Sequence, residues 1–249
     1  MEIKVKGQRL KIKVSAIVLI GGKYSQELLK KCLNSVAWAD EVIEVETDKL
    51  KGSFADWRNL GAKKANSDWL LYVDSDEQVI PELKKEILFG IQYLASGISA
   101  YAIPRRNFIF GKEFKHSGQY PDYVKRLFKK DKFNKWTGDL HEEPEFEGEL
   151  GRLKNPLIHN KHDNLSDMVA KTNEWSEIEA KLMYQANHPK MNIIRFFSAM
   201  TREFWLRMIK QTAFLDGVEG VIYAIYQVFS KSISYAKLWE IQINESRNI

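Results

Sequence analysis

The period of the apolar positions changes several times along this chain. From Val14 to Ile20 the β-branched run VSAIVLI closes on Gly21-Gly22, which predicts a buried first strand and a turn that lets backbone approach a ligand. Leu28, Leu29, Cys32, Leu33 and Val36 then recur at helical spacing, with Ser25 placed as N-cap and Glu27 near the start. The run DEVIEVE (40–46) predicts a second buried strand, and SFADWRNLGAKKANS (53–67) a helix with Phe54, Trp57, Leu60 and Ala65 on one side. DWLLYVD (68–74) predicts a third strand, and PELKKEILFGIQYLAS (81–96) a helix with proline in its first turn. Strands alternating with helices over the first hundred residues imply βαβ units on a parallel sheet with right-handed connections.

From about Ser99 the chain becomes aromatic and charged, in short strand-like pieces, and beyond Leu165 it becomes helical. These shifts predict an α/β catalytic domain over 1–164 and a helical extension over 165–249. In the extension, Phe196, Phe197, Phe204, Trp205, Met208 and Ile209 are interleaved with Arg195, Arg202, Arg207 and Lys210. Such a pattern suits an anionic membrane surface, and equally packing against the catalytic domain or a second copy in a homo-oligomer. LDGVEG (215–220) marks a turn between two of these helices.

The bulk numbers narrow this picture only slightly. A length of 249 residues accommodates one large α/β domain with an appendage, and two full domains would be crowded. Lys and Arg exceed Asp and Glu by 38 to 33, a mild bias toward anionic partners. The single cysteine, Cys32, excludes an internal disulfide framework and fits a reducing compartment. The run from Val14 to Ile20 reads as a strand rather than a leader, and no apolar run approaches the ~18 residues of a membrane span. The expected location is therefore the cytoplasm, with any membrane contact peripheral and on the inner face.

The candidate chemistry lies where the third strand ends, in Asp74-Ser75-Asp76-Glu77. Ligands of open α/β sheets bind at the carboxyl ends of the strands, so three carboxylates there call for a cation. Asp74 and Asp76, two apart on an extended segment, are expected to address one crevice.

RNLGAKKANSDWLLYVDSDEQV resembles the central segment of family 2 glycosyltransferases of the GT-A fold, in which an Arg-Asn-x-Gly helix precedes a strand ending in Asp-x-Asp. SGQYPDYVKRLFKK, WTGDLHEEPEFEG, NPLIHNKH and FLDGVEGVIYAIYQVFSKSISYAKL are similar to the branch that holds lipopolysaccharide-core β-glucosyltransferases. The resemblance implies a Rossmann-like, mainly parallel sheet and a nucleoside diphosphate sugar donor, UDP-sugar favoured. Mg²⁺ or Mn²⁺ would stabilise the departing diphosphate. By the same resemblance Asp76 is the first metal ligand, Asp74 a sugar, ribose or metal contact, and His159 a further metal or diphosphate contact. Ile20, Glu46, Asp48, Arg58 and Ser75 fall where the donor binds. The chain departs from the family pattern after the second strand, where it reads Glu46-Thr47-Asp48-Lys49.

Inversion at the sugar carbon needs a base for the acceptor hydroxyl. DLHEEPE offers Asp139, Glu142, Glu143 and Glu145, and resemblance selects Glu142, with His141 beside it as a metal, phosphate or acceptor contact. Tyr120, Asp122 and Tyr123 suit an acceptor saccharide or lipid-linked acceptor, and Lys125 and Arg126 suit phosphate. No nucleic-acid-binding signature accompanies these aromatic and basic residues, so nucleic acid is not expected as a partner. Two other functions remain: a nucleotidyltransferase, which GGKYSQ after the first strand matches poorly, and a non-catalytic glycan- or membrane-binding module with a decayed site.

Overall fold

A short ladder of β1 (Lys4–Val5) and β2 (Gln8–Arg9) precedes the first long strand, β3 (Val14–Ile20), in a computed structural model that describes residues 4–5, 8–9, 12–21, 25–94, 97–138 and 142–247. Every residue of β3 is buried, as its unbroken apolar run requires. Its alternate side chains serve two cores: Val14, Ala16, Val18 and Ile20 pack with Leu83 and Ile87, whereas Ile17 and Leu19 pack with Tyr72, Phe128 and Trp136. Helix α1 (Gln26–Val36) follows, capped by Ser25, whose Oγ accepts from the Leu28 amide. Strand β4 (Glu41–Glu46) runs parallel to β3. Contrary to the expected second buried strand, β4 is the edge of the ladder and buries only Ile43 and Val45, and Glu44 and Glu46 face solvent.

Helix α2 (Phe54–Lys64) opens on a reciprocal capping box between Ser53 and Asp56. A Cβ on Gly61 would come 2.4 Å from Ile17 Cγ2, so glycine is what lets this helix lie against β3. Asn59 ties the same helix to a later strand, donating to the Trp136 carbonyl (2.9 Å) and accepting from the Trp136 amide (2.8 Å). Strand β5 (Trp69–Asp74) lies parallel to β3 on the side opposite β4, and β6 (Glu77–Val79) follows after a two-residue turn. Helix α3 (Pro81–Phe89) begins on its proline and ends in a π-helical turn.

Where short strand-like pieces were expected after Ser99, the chain first forms a single long strand. β7 (Ile98–Ile109) returns through the short β8 (Lys112–Glu113), and β9 (Asp122–Lys129) pairs antiparallel with both β7 and β5. β10 (Phe133–Thr137) and β11 (Glu143–Phe146) make a separate hairpin, β12 (Glu149–Arg152) runs parallel to β7, and β13 (Leu157–His162) pairs antiparallel with β6.

Contacts gather Met1–Arg105 with Asp122–His159 into one unit and Arg106–Pro121 with Asn160–Ile249 into another. In the second, α4 (Leu165–Gln185), α5 (Ile193–Phe204) and α6 (Gly217–Arg247) share a core of Ala180, Met191, Ala199, Tyr235 and Leu238. A π-helical stretch, Trp205–Lys210, extends α5, and a 3-10 turn, Ala213–Asp216, leads into α6 where LDGVEG predicted a break. Among the described residues no helix is long and apolar enough to cross a membrane.

Candidate active site

The parallel register brings three strand ends to one level: Ile20 lies opposite Glu46, and Leu19 opposite Asp74. Asp74 closes β5, and its two carboxylate oxygens are both taken. Arg58 Nη2 donates to Oδ1 at 2.9 Å, and Arg126 Nη2 donates to Oδ2. Arg58 comes from α2 and is buried, its guanidinium lying 5.1 Å over the Trp136 ring. Arg126 comes from β9 and is buried too, with a second bond to Glu77 Oε1 at 3.1 Å.

Glu77, which no local pattern distinguished from its acidic neighbours, is fully buried beneath the turn. Its Oε2 accepts from the Asp74 amide at 3.0 Å, and its Oε1 lies 3.4 Å from Arg105 Nη1. Arg105 in turn holds Asp122 at 2.7 Å. The result is an interior cluster of three arginines and three acids. Burial by itself raises the Asp74 carboxyl, but Arg126 and then Arg58 outweigh it and hold the group well below the usual carboxylate range. Burial likewise favours the neutral form of Arg126, and Asp74 and Glu77 reverse this, raising it.

Several sequence expectations meet a different geometry. Ser75 and Asp76 form a turn, so Asp74 and Asp76 do not alternate along one extended segment. Asp74 turns to its arginines, and Asp76 Oδ2 lies 3.7 Å from His159 Nε2 of β13. Arg126 was expected to meet an external phosphate, yet it is buried against the fully buried Glu77 and the partly buried Asp74, and a buried carboxylate needs a cation. Asp122, expected at the acceptor, is engaged by Arg105. His159 and His162 sit three apart on one strand, an odd spacing that puts them on opposite faces.

The remaining candidates are placed as follows. Glu142 is largely shielded, with its Oε1 3.9 Å from Arg58 Nε, whereas Glu143 pairs with Lys125 at 2.6 Å and Glu145 with Lys135 at 4.0 Å, both on exposed side chains. His141 and Asp139 lie outside the described residues. Glu46 pairs with Lys49 on the surface. Thr47 Oγ1 donates to the Ile20 carbonyl at 3.3 Å, and a Cβ on Gly21 would fall 1.7 Å from that hydroxyl and 3.0 Å from Asp48 Oδ1. The turn after β3 therefore requires glycine, and it sets Asp48 beside the end of the strand. Tyr120 is half exposed and belongs to the second unit, and Tyr123, half exposed on β9, is stacked under Arg152 at 5.2 Å.

Among the described residues no three His, Cys, Asp or Glu side chains gather to hold a metal ion. A cation here would take Asp76, whose carboxylate is 37% exposed, and complete its shell from substrate and water. That donor set fits Mg²⁺ or Mn²⁺, which commonly bind through one or two carboxylates and substrate phosphates. The cluster also carries spare donors. Arg58 Nε and Nη1 and Arg126 Nε are buried and lack hydrogen-bond partners among the described residues.

Comparison with known proteins bears on this constellation. The chain is similar to uncharacterized glycosyltransferases of Rickettsia bellii (24% identity over 266 positions, 93% of this chain and 87% of that one) and Rickettsia conorii (24% over 274, 95% and 93%). Among solved structures, Staphylococcus aureus TarS 1–349 in complex with UDP-GlcNAc aligns over 95% of this chain and 92% of its own at 12% identity, with a TM-score of 0.39. The family described as Glycosyl transferase family 2 matches residues 16–147, more than half of the chain. That stretch holds Arg58, Asp74, Asp76, Glu77, Arg126 and Glu142 on an α/β sheet of GT-A type, and the chain belongs to glycosyltransferase family 2.

Proposed function

We propose that this glycosyltransferase moves a hexose, with inversion, from a nucleoside diphosphate sugar to a saccharide acceptor, using a divalent cation. The observation that carries the reading is the strand-end cluster, in which one guanidinium, Arg58, spans Asp74 at 2.9 Å and Glu142 at 3.9 Å while Asp76 stays open beside it in sequence. In this reading Arg58 holds Asp74 in place behind the donor, and Ile20, Glu46, Asp48 and Ser75 line the nucleoside side. Asp76 holds Mg²⁺ or Mn²⁺, with His159 next to it; when bound, the ion supplies positive charge to the leaving diphosphate.

Glu142 takes the proton of the acceptor hydroxyl as that oxygen forms its bond to the sugar carbon. The bond from that carbon to the diphosphate breaks, and the nucleoside diphosphate departs with the electron pair. Arg58, with its Nε 3.9 Å from Glu142 Oε1, positions that carboxylate beside Asp74. UDP-sugar is the favoured donor and glucose the first hexose to try. Likeness to the lipopolysaccharide-core branch makes a bacterial surface glycan or lipid-linked saccharide the first acceptor class.

Calorimetry with UDP and GDP, with and without Mn²⁺, tests the donor half. Native protein should bind one of them in a Mn²⁺-dependent way, and Asp76→Asn should weaken that binding at least about ten-fold. Glu142→Gln should keep donor binding and lose transfer by about a hundred-fold or more. Binding that ignores Mn²⁺, or turnover retained by Glu142→Gln, would overturn the corresponding assignment.

A further inference from the structure

The second unit carries a surface that the transferase reading neither uses nor explains. Helix α5 starts at Asn192, whose side chain accepts from the Arg195 amide, and turns its small residue Ala199 into the core. Its bulky residues go the other way. Ile193, Ile194 and Phe197 are 71, 75 and 68% exposed, and Phe204 and Trp205 follow at about half exposure. At roughly 100° per residue these five fall within an arc about 120° wide. They are thus one apolar face turned to solvent, and Ile193, Ile194, Phe197 and Trp205 line an open groove of ≈ 830 Å³ together with Ser198, Thr201 and Arg202.

Charge decides what such a face can meet. Lys190 to Lys210 holds five cations, Lys190, Arg195, Arg202, Arg207 and Lys210, against the single acid Glu203, which pairs with Arg207 at 2.7 Å. Arg195 and Arg202 lie together along one side of the apolar arc, are exposed, and have no carboxylate partner among the described residues. A second copy docking the same face would bring these cations together, so self-association is opposed by its own electrostatics. An anionic bilayer offers the complement of both features: acyl boundary for Ile, Phe and Trp, and headgroup phosphates for Arg.

We propose that α5 and its π-helical extension form a peripheral docking surface for an anionic lipid bilayer, with Ile193, Ile194, Phe197 and Trp205 entering the headgroup boundary and Arg195 and Arg202 meeting lipid phosphates. No helix among the described residues spans a bilayer, so the contact is interfacial. The surface requires no step of the transfer reaction.

Flotation of the full chain with vesicles of phosphatidylcholine alone, or of phosphatidylcholine mixed with phosphatidylglycerol, tests the proposal without any transferase assay. The expected result is flotation with the anionic vesicles only, weakened by salt. Arg195→Gln combined with Arg202→Gln should weaken partitioning roughly thirty-fold, and Phe197→Ser about ten-fold. Both variants change exposed side chains, and an unchanged melting temperature certifies their fold. No flotation with anionic vesicles, equal flotation with neutral ones, or indifference to the substitutions would overturn the proposal. Concentration-dependent dimerisation lost on Phe197→Ser would also overturn it, and would give the face to a second copy.

Discussion

Asp74, with a side chain 27% exposed, and the buried Asp216 are hydrogen-bonded carboxylates, one in each unit, and their neighbours satisfy them by different means. Asp216 is 4% exposed and is met mostly by backbone: the Lys115 amide at 3.0 Å, the His116 amide at 3.0 and 3.1 Å, and Ser117 Oγ at 3.0 Å. Lys112 Nζ donates to the Asp216 carbonyl and to Glu219, not to the Asp216 carboxylate. Asp74 is met by the guanidiniums of Arg58 and Arg126. Amides aimed at one acid fix a loop and leave nothing over. Guanidiniums bring five donors each, and three guanidinium nitrogens, Arg58 Nε and Nη1 and Arg126 Nε, stay buried without a hydrogen-bond partner among the described residues. Spare buried donors are costly unless a ligand uses them. The contrast separates an acid held by the backbone of a loop from one held by buried guanidiniums that keep unused nitrogens.

Asp74→Asn puts the comparison under the greatest strain. It leaves two buried guanidiniums facing a neutral amide, so urea unfolding should show a loss of about 3–5 kcal/mol. Transfer should fall below detection in the same preparation. A variant as stable as the parent would mean that the arginines do not depend on Asp74 for their charge. Asp216→Ala comes next, with an expected loss of about 2–3 kcal/mol from the stranded amides and hydroxyl. Nucleotide binding per folded molecule, followed by calorimetry below the melting transition, should be unchanged. Binding abolished by Asp216→Ala would erase the distinction between the two acids.

The local pattern disclosed the frame better than the pairings. The run from Val14 to Ile20 and the spacing of Phe54, Trp57 and Leu60 are local signals, and a strand and a helix formed there. Arg-Asn-x-Gly was legible as a motif, while the separate tasks of Arg58 on Asp74, Asn59 on Trp136 and Gly61 against Ile17 depend on segments far along the chain. In β4 the alternation that buries Ile43 and Val45 and exposes Glu44 and Glu46 was present in EVIEVE and pointed to an edge. Period two also distinguishes Lys125, which reaches Glu143 on the surface, from Arg126, which is buried. Reading the two as one basic patch concealed this. Glu77 had no such signal, because its burial follows from Arg126 and Arg105 arriving from other strands.

Glu41 supplies the smallest and most graded comparison, since uncharged donors hold it near the sheet edge. Its carboxylate accepts from Ser15 Oγ at 2.6 Å, the Asn66 amide at 2.9 Å and Asn66 Nδ2 at 3.1 Å. The Ser15 bond, and then the Asn66 amide, favour the ionised form and lower its pKa from the ordinary glutamate value. A lowered folded-state pKa adds stability at pH values above the unfolded pKa of about 4.3, and that gain disappears as pH falls through the folded value. Glu41→Gln should therefore cost about 1 kcal/mol at pH 7. The gap between variant and parent should close as urea midpoints are followed below about pH 4. Because the donors are neutral, added salt should leave the pH 7 gap nearly intact, whereas a gap that salt erases would show a cation holding Glu41 and move it to the Asp74 side of the comparison.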